Sequence, residues 1–172
     1  IGNPLGHSYS EGYFTDKFIR EDIAACYTPY PLVAIEQVTT LLEELNGFNV
    51  TYPFKEDILP YLNAIDPVAS AIGAVNVVSH GKGYNTDWIG FRDSLCPLLR
   101  ESDRRALLLG TGGVSKAIQY ALMDLGIEFT LVSRGKPTPT LSLEGRVLSS
   151  ETVIGYEEVD EEVLTEHQII VN

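Results

Sequence analysis

Long apolar runs, cysteines and positive charge are all scarce in this sequence of 172 residues. No apolar stretch approaches the ~20 residues that a helix needs to cross a bilayer, so an integral membrane protein is not expected. The two cysteines, Cys26 and Cys96, are too few for a disulfide framework or a metal-ligand cluster, and we predict no metal site. Because neither a signal peptide nor a transit peptide is visible, we expect a reduced, cytoplasmic protein.

The shortage of positive charge limits the partners that the protein can have. The chain carries 12 Lys and Arg against 24 Asp and Glu, which gives a net charge of −12. That charge repels nucleic-acid phosphates and anionic lipid, so we expect neither nucleic acid nor a membrane as a partner.

Hydrophobic periodicity predicts an α/β protein. In the first part, apolar spacing and helix caps predict helices over 10–20, 34–45, 66–72 and 88–99, with short strands at 48–51 and 74–79. In the second part, the apolar run 106–109, a glycine-rich turn, a helix to about 125 and a strand at 129–132 form a βαβ unit. Both ends of the sequence are typical of strands inside a fold, so we expect the chain to be incomplete.

The glycine-rich turn consists of Gly110, Thr111, Gly112 and Gly113. Glycines let a turn approach a pyrophosphate closely, and the free N–H groups of the following helix attract its negative charge. The third glycine of the usual fingerprint is missing, since Ser115 stands in its place. We therefore predict dinucleotide binding, with a merely tight strand-to-helix turn as the alternative.

The end of the next strand indicates which dinucleotide binds. An NAD site would carry Asp or Glu there to accept from the ribose 2′-hydroxyl, whereas this chain has Ser133 and Arg134. Arginine suits a 2′-phosphate, so the prediction is NADP, with an ordinary surface arginine as the alternative.

Several polar residues of the first part are candidates for ligand contacts, and each has an ordinary structural alternative. Ser8 and Ser10 could hold a carboxylate or could simply cap a helix. Lys55 begins a helical segment, where a cation is mildly misplaced, yet it could be an ordinary solvated lysine. Asn76 lies in an apolar strand and needs hydrogen-bond partners, and Asp87 has the sequence position of an N-cap.

Four motifs in these regions together resemble the shikimate dehydrogenase family. They are GNPLGHSYS at 2–10, NVTYPFK at 49–55, GAVN at 73–76 and YNTDWIGF at 84–91, followed by the glycine-rich turn. They occur in family order and cover nearly the whole chain. The family usually has proline after the second serine, where this chain has Glu11, so the entry into the first helix differs.

The resemblance implies an α/β fold of two domains with a cleft between them. Residues 1–87 would form the substrate-binding and catalytic domain. Residues 88–172 would form a Rossmann-like, doubly wound NADP-binding domain that is incomplete at its C-terminal end. The implied activity is the reduction of 3-dehydroshikimate to shikimate with NADPH, a step of chorismate and aromatic amino acid biosynthesis. The enzyme would be a monomer or a homodimer.

The resemblance also assigns roles to the candidate substrate residues. The hydroxyls that match Ser8 and Ser10 hold the substrate carboxylate in the family. The residues that match Thr51, Asn76 and Asp87 hydrogen-bond the ring hydroxyls.

The catalytic pair would be the lysine that matches Lys55 and the aspartate that matches Asp87. Hydride delivery to a ketone builds negative charge on oxygen, so a cation and a proton source beside that oxygen lower the barrier. The cofactor contacts would come from the glycine turn and the strand end, namely Gly110, Thr111, Gly112, Gly113, Val114, Ser133 and Arg134.

Two other functions stay open at this point. A quinate/shikimate dehydrogenase that uses NAD would prefer an acidic residue near Arg134, and none is there. A non-catalytic dinucleotide-sensing module on the same scaffold would tend to lose the catalytic pair, but Lys55 and Asp87 are both present.

Overall fold

The computed structural model describes residues 1–6, 8–135, 142–143, 146–147 and 152–172. Within these residues the chain is a mixed α/β protein with a four-stranded sheet in each half. None of the described helices is long and apolar enough to cross a membrane.

The sheet of the first half is mixed. Its strands are β1 (Gly47–Asn49), β2 (Ala64–Ile65), β3 (Val77–Ser79) and β4 (Lys82–Tyr84), in the spatial order β1-β3-β4-β2. Strand β3 pairs antiparallel with β1 and β4, and β2 runs parallel to β4. A tight turn joins β3 to β4, in which His80 (φ 49°) and Gly81 (φ 74°) both adopt the left-handed conformation of a two-residue hairpin.

Three helices accompany this sheet: α1 (Ser10–Arg20), α2 (Val38–Glu44) and α3 (Pro67–Ile72). Helix α3 begins as predicted, with the Asp66 carboxylate accepting from the Val68 N–H at 3.0 Å and Pro67 as the first helical residue. The predicted helix over 34–45 forms in two pieces, since a 3₁₀ turn over Ile35–Gln37 precedes α2. The buried core beside this sheet contains Val38, Val50, Ile58, Ala69, Val75 and Val78.

The sheet of the second half is parallel throughout. Its strands are β5 (Arg105–Leu109), β6 (Glu128–Val132), β9 (Thr152–Ile154) and β10 (Ile169–Val171), and a separate antiparallel pair is formed by β7 (Ser142–Leu143) and β8 (Arg146–Val147). From β5 the chain builds the sheet outward on one side, through β6 and β9, and then places β10 on the other side of β5. The position between β5 and β10 is therefore a topological switch point, and open parallel sheets bind ligands beyond the carboxyl ends of their strands at such a point.

The helices of the second half are α4 (Asp87–Leu95), α5 (Gly113–Asp124) and α6 (Glu161–Glu166). Helix α4 ends before the predicted residue 99 and continues as a 3₁₀ turn over Cys96–Leu98, because Pro97 has no N–H for the α-helical pattern. Helices α4 and α5 cover one face of the sheet, over a core that includes Phe91, Leu95, Ala106, Leu108, Leu122, Phe129 and Leu131. The opposite face carries Thr130, whose Oγ1 lies 2.9 Å from His167 Nε2.

A small apolar cluster joins the two halves at the start of α4. Trp88 and Tyr120 pack around Ile72, Ala74 and Ala117, and the two aromatic rings meet edge-on with centroids 5.0 Å apart. Burial, together with the negative charges of two nearby carboxylates, raises the pKa of Tyr120. The cluster fixes the first turn of α4 against both halves of the chain.

Candidate functional site

A lysine and an aspartate that are distant in sequence form an ion pair between the two halves. Lys55 Nζ lies 2.8 Å from Asp87 Oδ2, and the two side chains are 14% and 26% exposed. The Lys55 carbonyl accepts from the Val75 N–H at 2.8 Å, which ties the lysine to the segment that leads into β3. Asp87 is the first residue of α4, so its position follows from the apolar cluster around Trp88.

Asn76 and Thr86 complete this group of polar side chains. Asn76 Nδ2 donates to Asp87 Oδ1 at 2.7 Å and to Thr86 Oγ1 at 3.0 Å, and the Thr86 N–H donates to Asn76 Oδ1 at 2.8 Å. The amide predicted to need partners has therefore found them. Both carboxylate oxygens of Asp87 are occupied, one by Lys55 and one by Asn76. We call Lys55, Asn76, Thr86 and Asp87 the polar cluster.

The interpretation of Asp87 as an N-cap is wrong. Thr86 is the N-cap residue of α4 and makes no side-chain cap bond, while Asp87 is already helical. Its carboxylate turns to the polar cluster because Lys55 supplies a charge there. Asn85, which sequence reasoning missed, holds this turn: it is buried, donates to the Ala74 carbonyl at 3.0 Å and accepts from the Asp87 N–H at 3.0 Å.

Ser8, Ser10 and Thr51 line a second part of the site, a cleft of about 280 Å³ beside α1. The helix-capping alternative for the serines is not supported, since Tyr9 is the N-cap residue of α1 and no side chain caps this helix. Among the described residues, none is a hydrogen-bond partner of these three hydroxyls. We call Ser8, Ser10 and Thr51 the three hydroxyls, and they are open to a ligand.

Asn49 and Tyr27 line the same cleft and were missed by the sequence analysis. Asn49 Nδ2 donates to the Tyr27 hydroxyl at 3.1 Å, and the Tyr27 ring stacks on Phe14 with centroids 4.8 Å apart and planes 10° apart. Asn49 is the first residue of the 49–55 motif, so its position was a usable signal. Tyr27 stands alone in a loop and offers no local pattern.

A larger cleft of about 650 Å³ lies between the two halves. Thr51 and Lys55 line it from the first half, and Gly112, Gly113 and Val114 line it from the second. Thr51 lines both clefts, so the two clefts adjoin at this residue. A Cβ built on Gly113 would lie 3.7 Å from Lys55 Cβ and Cδ, so the lysine passes directly over the glycine turn.

The glycine turn is shaped for close approach of a ligand. Gly110 has φ 103°, Gly112 is the N-cap of α5, and a Cβ on either residue would meet nothing within 4 Å. Ser115, which replaces the third glycine of the fingerprint, is buried; its Oγ donates to the Gly110 carbonyl at 2.8 Å and accepts from Gln119 Nε2 at 3.2 Å. The serine therefore braces the turn and leaves the space above it open.

The remaining predicted cofactor residues lie in a third cleft of about 540 Å³ on the other side of the same turn. Thr111, Ser133 and Arg134 line it together with Gly110 and Gly112, which also line the larger cleft. Tyr156 lines it too and was missed by the sequence analysis. The helix N-terminus and an arginine thus stand on one continuous surface, and this chemistry fits a dinucleotide that carries an additional phosphate.

Comparison with known proteins finds relatives among the shikimate dehydrogenases. Residues 1–78 match the family model described as the shikimate dehydrogenase substrate binding domain. The NADP(+) shikimate dehydrogenase of Bacillus cereus (strain AH187) is 45% identical over 139 residues, which cover 74% of this chain and 50% of that protein. The chain therefore spans about half the length of the curated relative that it matches.

Solved structures show the same likeness. The shikimate dehydrogenase of Aquifex aeolicus is 35% identical with a TM-score of 0.79, and the match covers 100% of this chain and 66% of that one. The enzyme of Thermus thermophilus in complex with NADP(H) and shikimate is 29% identical with a TM-score of 0.70, covering 89% of this chain and 60% of that one.

Proposed function

This chain belongs to the shikimate dehydrogenase family, and we propose that it reduces 3-dehydroshikimate to shikimate with NADPH. The observation that carries the proposal is the Lys55–Asp87 ion pair of 2.8 Å beside the glycine turn. A pure binding module needs the turn but has no use for a largely buried ammonium that is paired with a carboxylate and passes over that turn.

The proposal divides the chain into two domains around the larger cleft. Residues 1–87 would hold the substrate and the catalytic pair, and residues 88–172 would form the Rossmann-like, doubly wound NADP-binding domain. The sheet order that reverses between β5 and β10, directly beneath the glycine turn, supports this division. The cytoplasmic location and the monomeric or dimeric state stay predictions.

Lys55 would be the proton donor at the reacting oxygen. NADPH, when bound, supplies the hydride that adds to the ketone carbon. As negative charge grows on the ketone oxygen, the Lys55 ammonium stabilises it and transfers a proton to it. Asp87 keeps the ammonium oriented through the 2.8 Å contact, and Asn76 in turn fixes the Asp87 carboxylate.

The three hydroxyls would hold the substrate at its other end. Ser8 and Ser10 are suited to donate hydrogen bonds to the substrate carboxylate, and Thr51 lines both the cleft beside α1 and the larger cleft. Thr51, Asn76 and Asp87 would bond the ring hydroxyls. The substrate would thus be anchored by hydroxyls at one end and face the charged pair at the other.

The cofactor would lie across the glycine turn. Gly112 and Gly113 leave room for a pyrophosphate at the N-terminus of α5, with Thr111 and Val114 beside them. Arg134 and Ser133, in the cleft on the other side of the turn, would hold the 2′-phosphate that distinguishes NADP from NAD.

An absorbance assay on the complete gene product tests this function. We expect NADPH to appear when shikimate and NADP are added, and little product with NAD or with quinate. Equal rates with NAD and quinate would support a quinate/shikimate dehydrogenase instead. Binding of NADP without turnover of either substrate would support the dinucleotide-sensing module and overturn the proposal.

A further inference from the structure

A second ion pair joins the two halves next to Lys55. Glu56 Oε2 lies 2.5 Å from Lys116 Nζ, and the two residues are 60 positions apart. Lys116 lies near the start of α5, three residues after Gly113, and Glu56 lines the cleft. The side chains are 45% exposed at Glu56 and 21% exposed at Lys116, so the pair lies at the rim of the cleft.

Two consecutive residues of opposite charge therefore form ion pairs with two different helices. Lys55 pairs with Asp87 at the start of α4, and Glu56 pairs with Lys116 near the start of α5. Asp87 fixes the ammonium of Lys55 relative to α4, which contacts α5 through Trp88 and Tyr120. The glycine turn precedes α5, and the Glu56–Lys116 pair is a direct ion pair between the segment that carries Lys55 and α5.

We propose that Glu56 and Lys116 are positioning residues that hold Lys55 Nζ at its working distance from the glycine turn. The inference rests on the proposed function, in which Lys55 must meet an oxygen next to a cofactor bound at that turn. A misplacement of about 1 Å at a reacting group can cost up to about 100-fold in rate. An exposed ion pair, in contrast, adds little to folding stability. The pair should matter for turnover far more than for unfolding.

The charge of Glu56 also bears on Lys116. While Glu56 holds the Lys116 ammonium, that cation is turned toward the first half of the chain and not toward the phosphate-binding turn. Removing the Glu56 charge would release a cation beside the cofactor site. The KM for NADP should therefore not rise in Glu56→Gln, even though kcat falls.

The test compares Glu56→Gln, Lys116→Met and the charge-swapped double variant Glu56→Lys/Lys116→Glu in the complete gene product. We expect each single variant to lower kcat about 3- to 10-fold, with the KM for shikimate changed less than about twofold and Tm nearly unchanged. The swapped pair restores the attraction between the halves and should recover most of the lost kcat. Rescue by the swap is a result that a merely structural effect of either substitution would not produce.

Lys17→Met is the matched control. It breaks the Lys17–Glu21 pair of 3.2 Å at the C-terminal end of α1, whose side chains are 34% and 40% exposed, and it should leave kcat unchanged. The positioning role would be overturned if kcat were unchanged in both single variants or if the swap did not restore a lost kcat. It would also be overturned if circular dichroism showed a fall in the folded fraction as large as the fall in kcat. Each of these results would leave the proposed function intact. If the wild-type protein itself does not oxidise shikimate with NADP, the proposed function is overturned and this inference falls with it.

Discussion

The polar cluster and the three hydroxyls have opposite states when no ligand is bound. In the polar cluster, Lys55, Asn76 and Asp87 bond to one another at 2.7–2.8 Å. Ser8, Ser10 and Thr51 have no such partners among the described residues. Half-buried charges are costly unless they are paired, whereas exposed hydroxyls are satisfied by water until a ligand replaces it.

This contrast distinguishes residues that stabilise the transition state from residues that bind the substrate. A preformed charged pair needs no rearrangement when charge develops on the substrate, so its contribution appears in the transition state and in kcat. Hydroxyls that contact an unchanging carboxylate contribute equally before and during the reaction, so their loss appears in KM. A residue that is already bonded without a ligand should therefore affect kcat, and one whose hydroxyl awaits a ligand should affect KM.

The largest effect is expected from breaking the charged pair. Lys55→Ala should lower kcat by about 10²- to 10⁴-fold, the range of a positioned acid–base group, with a modest effect on KM for shikimate. Asp87→Asn should lower kcat similarly, because the amide keeps the size of the side chain but loses the charge that orients Lys55. Steady-state kinetics with shikimate and NADP measure both.

The double variant Lys55→Ala/Asp87→Asn shows whether the two residues act as one unit. If they do, it should be little worse than either single variant. If the losses of activation free energy in the two single variants add up in the double variant, or if Lys55→Ala keeps a near-normal kcat, the pair does not act at the reacting centre. The expected difference between the polar cluster and the three hydroxyls would then be absent.

Arg134 extends the comparison to the cofactor. Arg134→Ala should lower kcat/KM for NADP about 10- to 150-fold through loss of a charge-assisted contact with the 2′-phosphate, while the value for NAD changes little. Kinetics with both cofactors measure the ratio. Equal losses for the two would contradict the 2′-phosphate assignment.

Substitution of the serines should have a smaller effect, and it should change KM for shikimate more than kcat. Ser8→Ala or Ser10→Ala should raise KM for shikimate about 5- to 30-fold while lowering kcat less, since each hydroxyl would contact an ionised carboxylate. Thermal unfolding serves as the control, because no side chain caps α1 in the structure. Variants that melt earlier with unchanged kinetics would restore the capping interpretation.

Local signals explain what the sequence predicted correctly about the fold. Asp66 followed by Pro67, with Gly73 six residues further on, is sufficient to define both ends of α3, and Gly73 adopts the left-handed conformation (φ 71°) that ends the helix. The apolar run, glycine turn and helix around Gly110–Gly113 likewise predicted a βαβ unit that the parallel pairing of β5 with β6 confirms. Each of these patterns is complete within about 25 residues.

The misses share the opposite property, because they depend on distant partners. Asn85, Thr86 and Asp87 before Trp88 have the local pattern of a cap. The Asp87 carboxylate is instead held by Lys55, 32 positions away, and by Asn76. The strand predicted over 74–79 is shorter, over Val77–Ser79. The Val75 N–H donates outside the sheet, to the carbonyl of Lys55, which is distant in sequence. No local pattern shows such contacts.

The smallest expected effect concerns Tyr27, whose role could not be inferred from sequence. Its hydroxyl accepts from Asn49 Nδ2, and its ring stacks on Phe14 of α1, so it links the helix that carries Ser10 to the segment that carries Thr51. Tyr27→Phe keeps the stacking and removes only the hydroxyl. Asn49 then loses one partner at the edge of a cleft that water can reach, and a water molecule can replace part of that bond.

We therefore expect Tyr27→Phe to raise KM for shikimate about 2- to 5-fold with kcat and Tm nearly unchanged. Phe14→Leu is the complementary variant, because it removes the stacking and keeps the Tyr27 hydroxyl; it should lower Tm more than it raises KM. A Tyr27→Phe enzyme that loses kcat but keeps KM would place Tyr27 with the polar cluster. In that case, residues that act on kcat and residues that act on KM would both line the cleft beside α1, and the two kinds of residue would not be divided between Thr51 and Lys55.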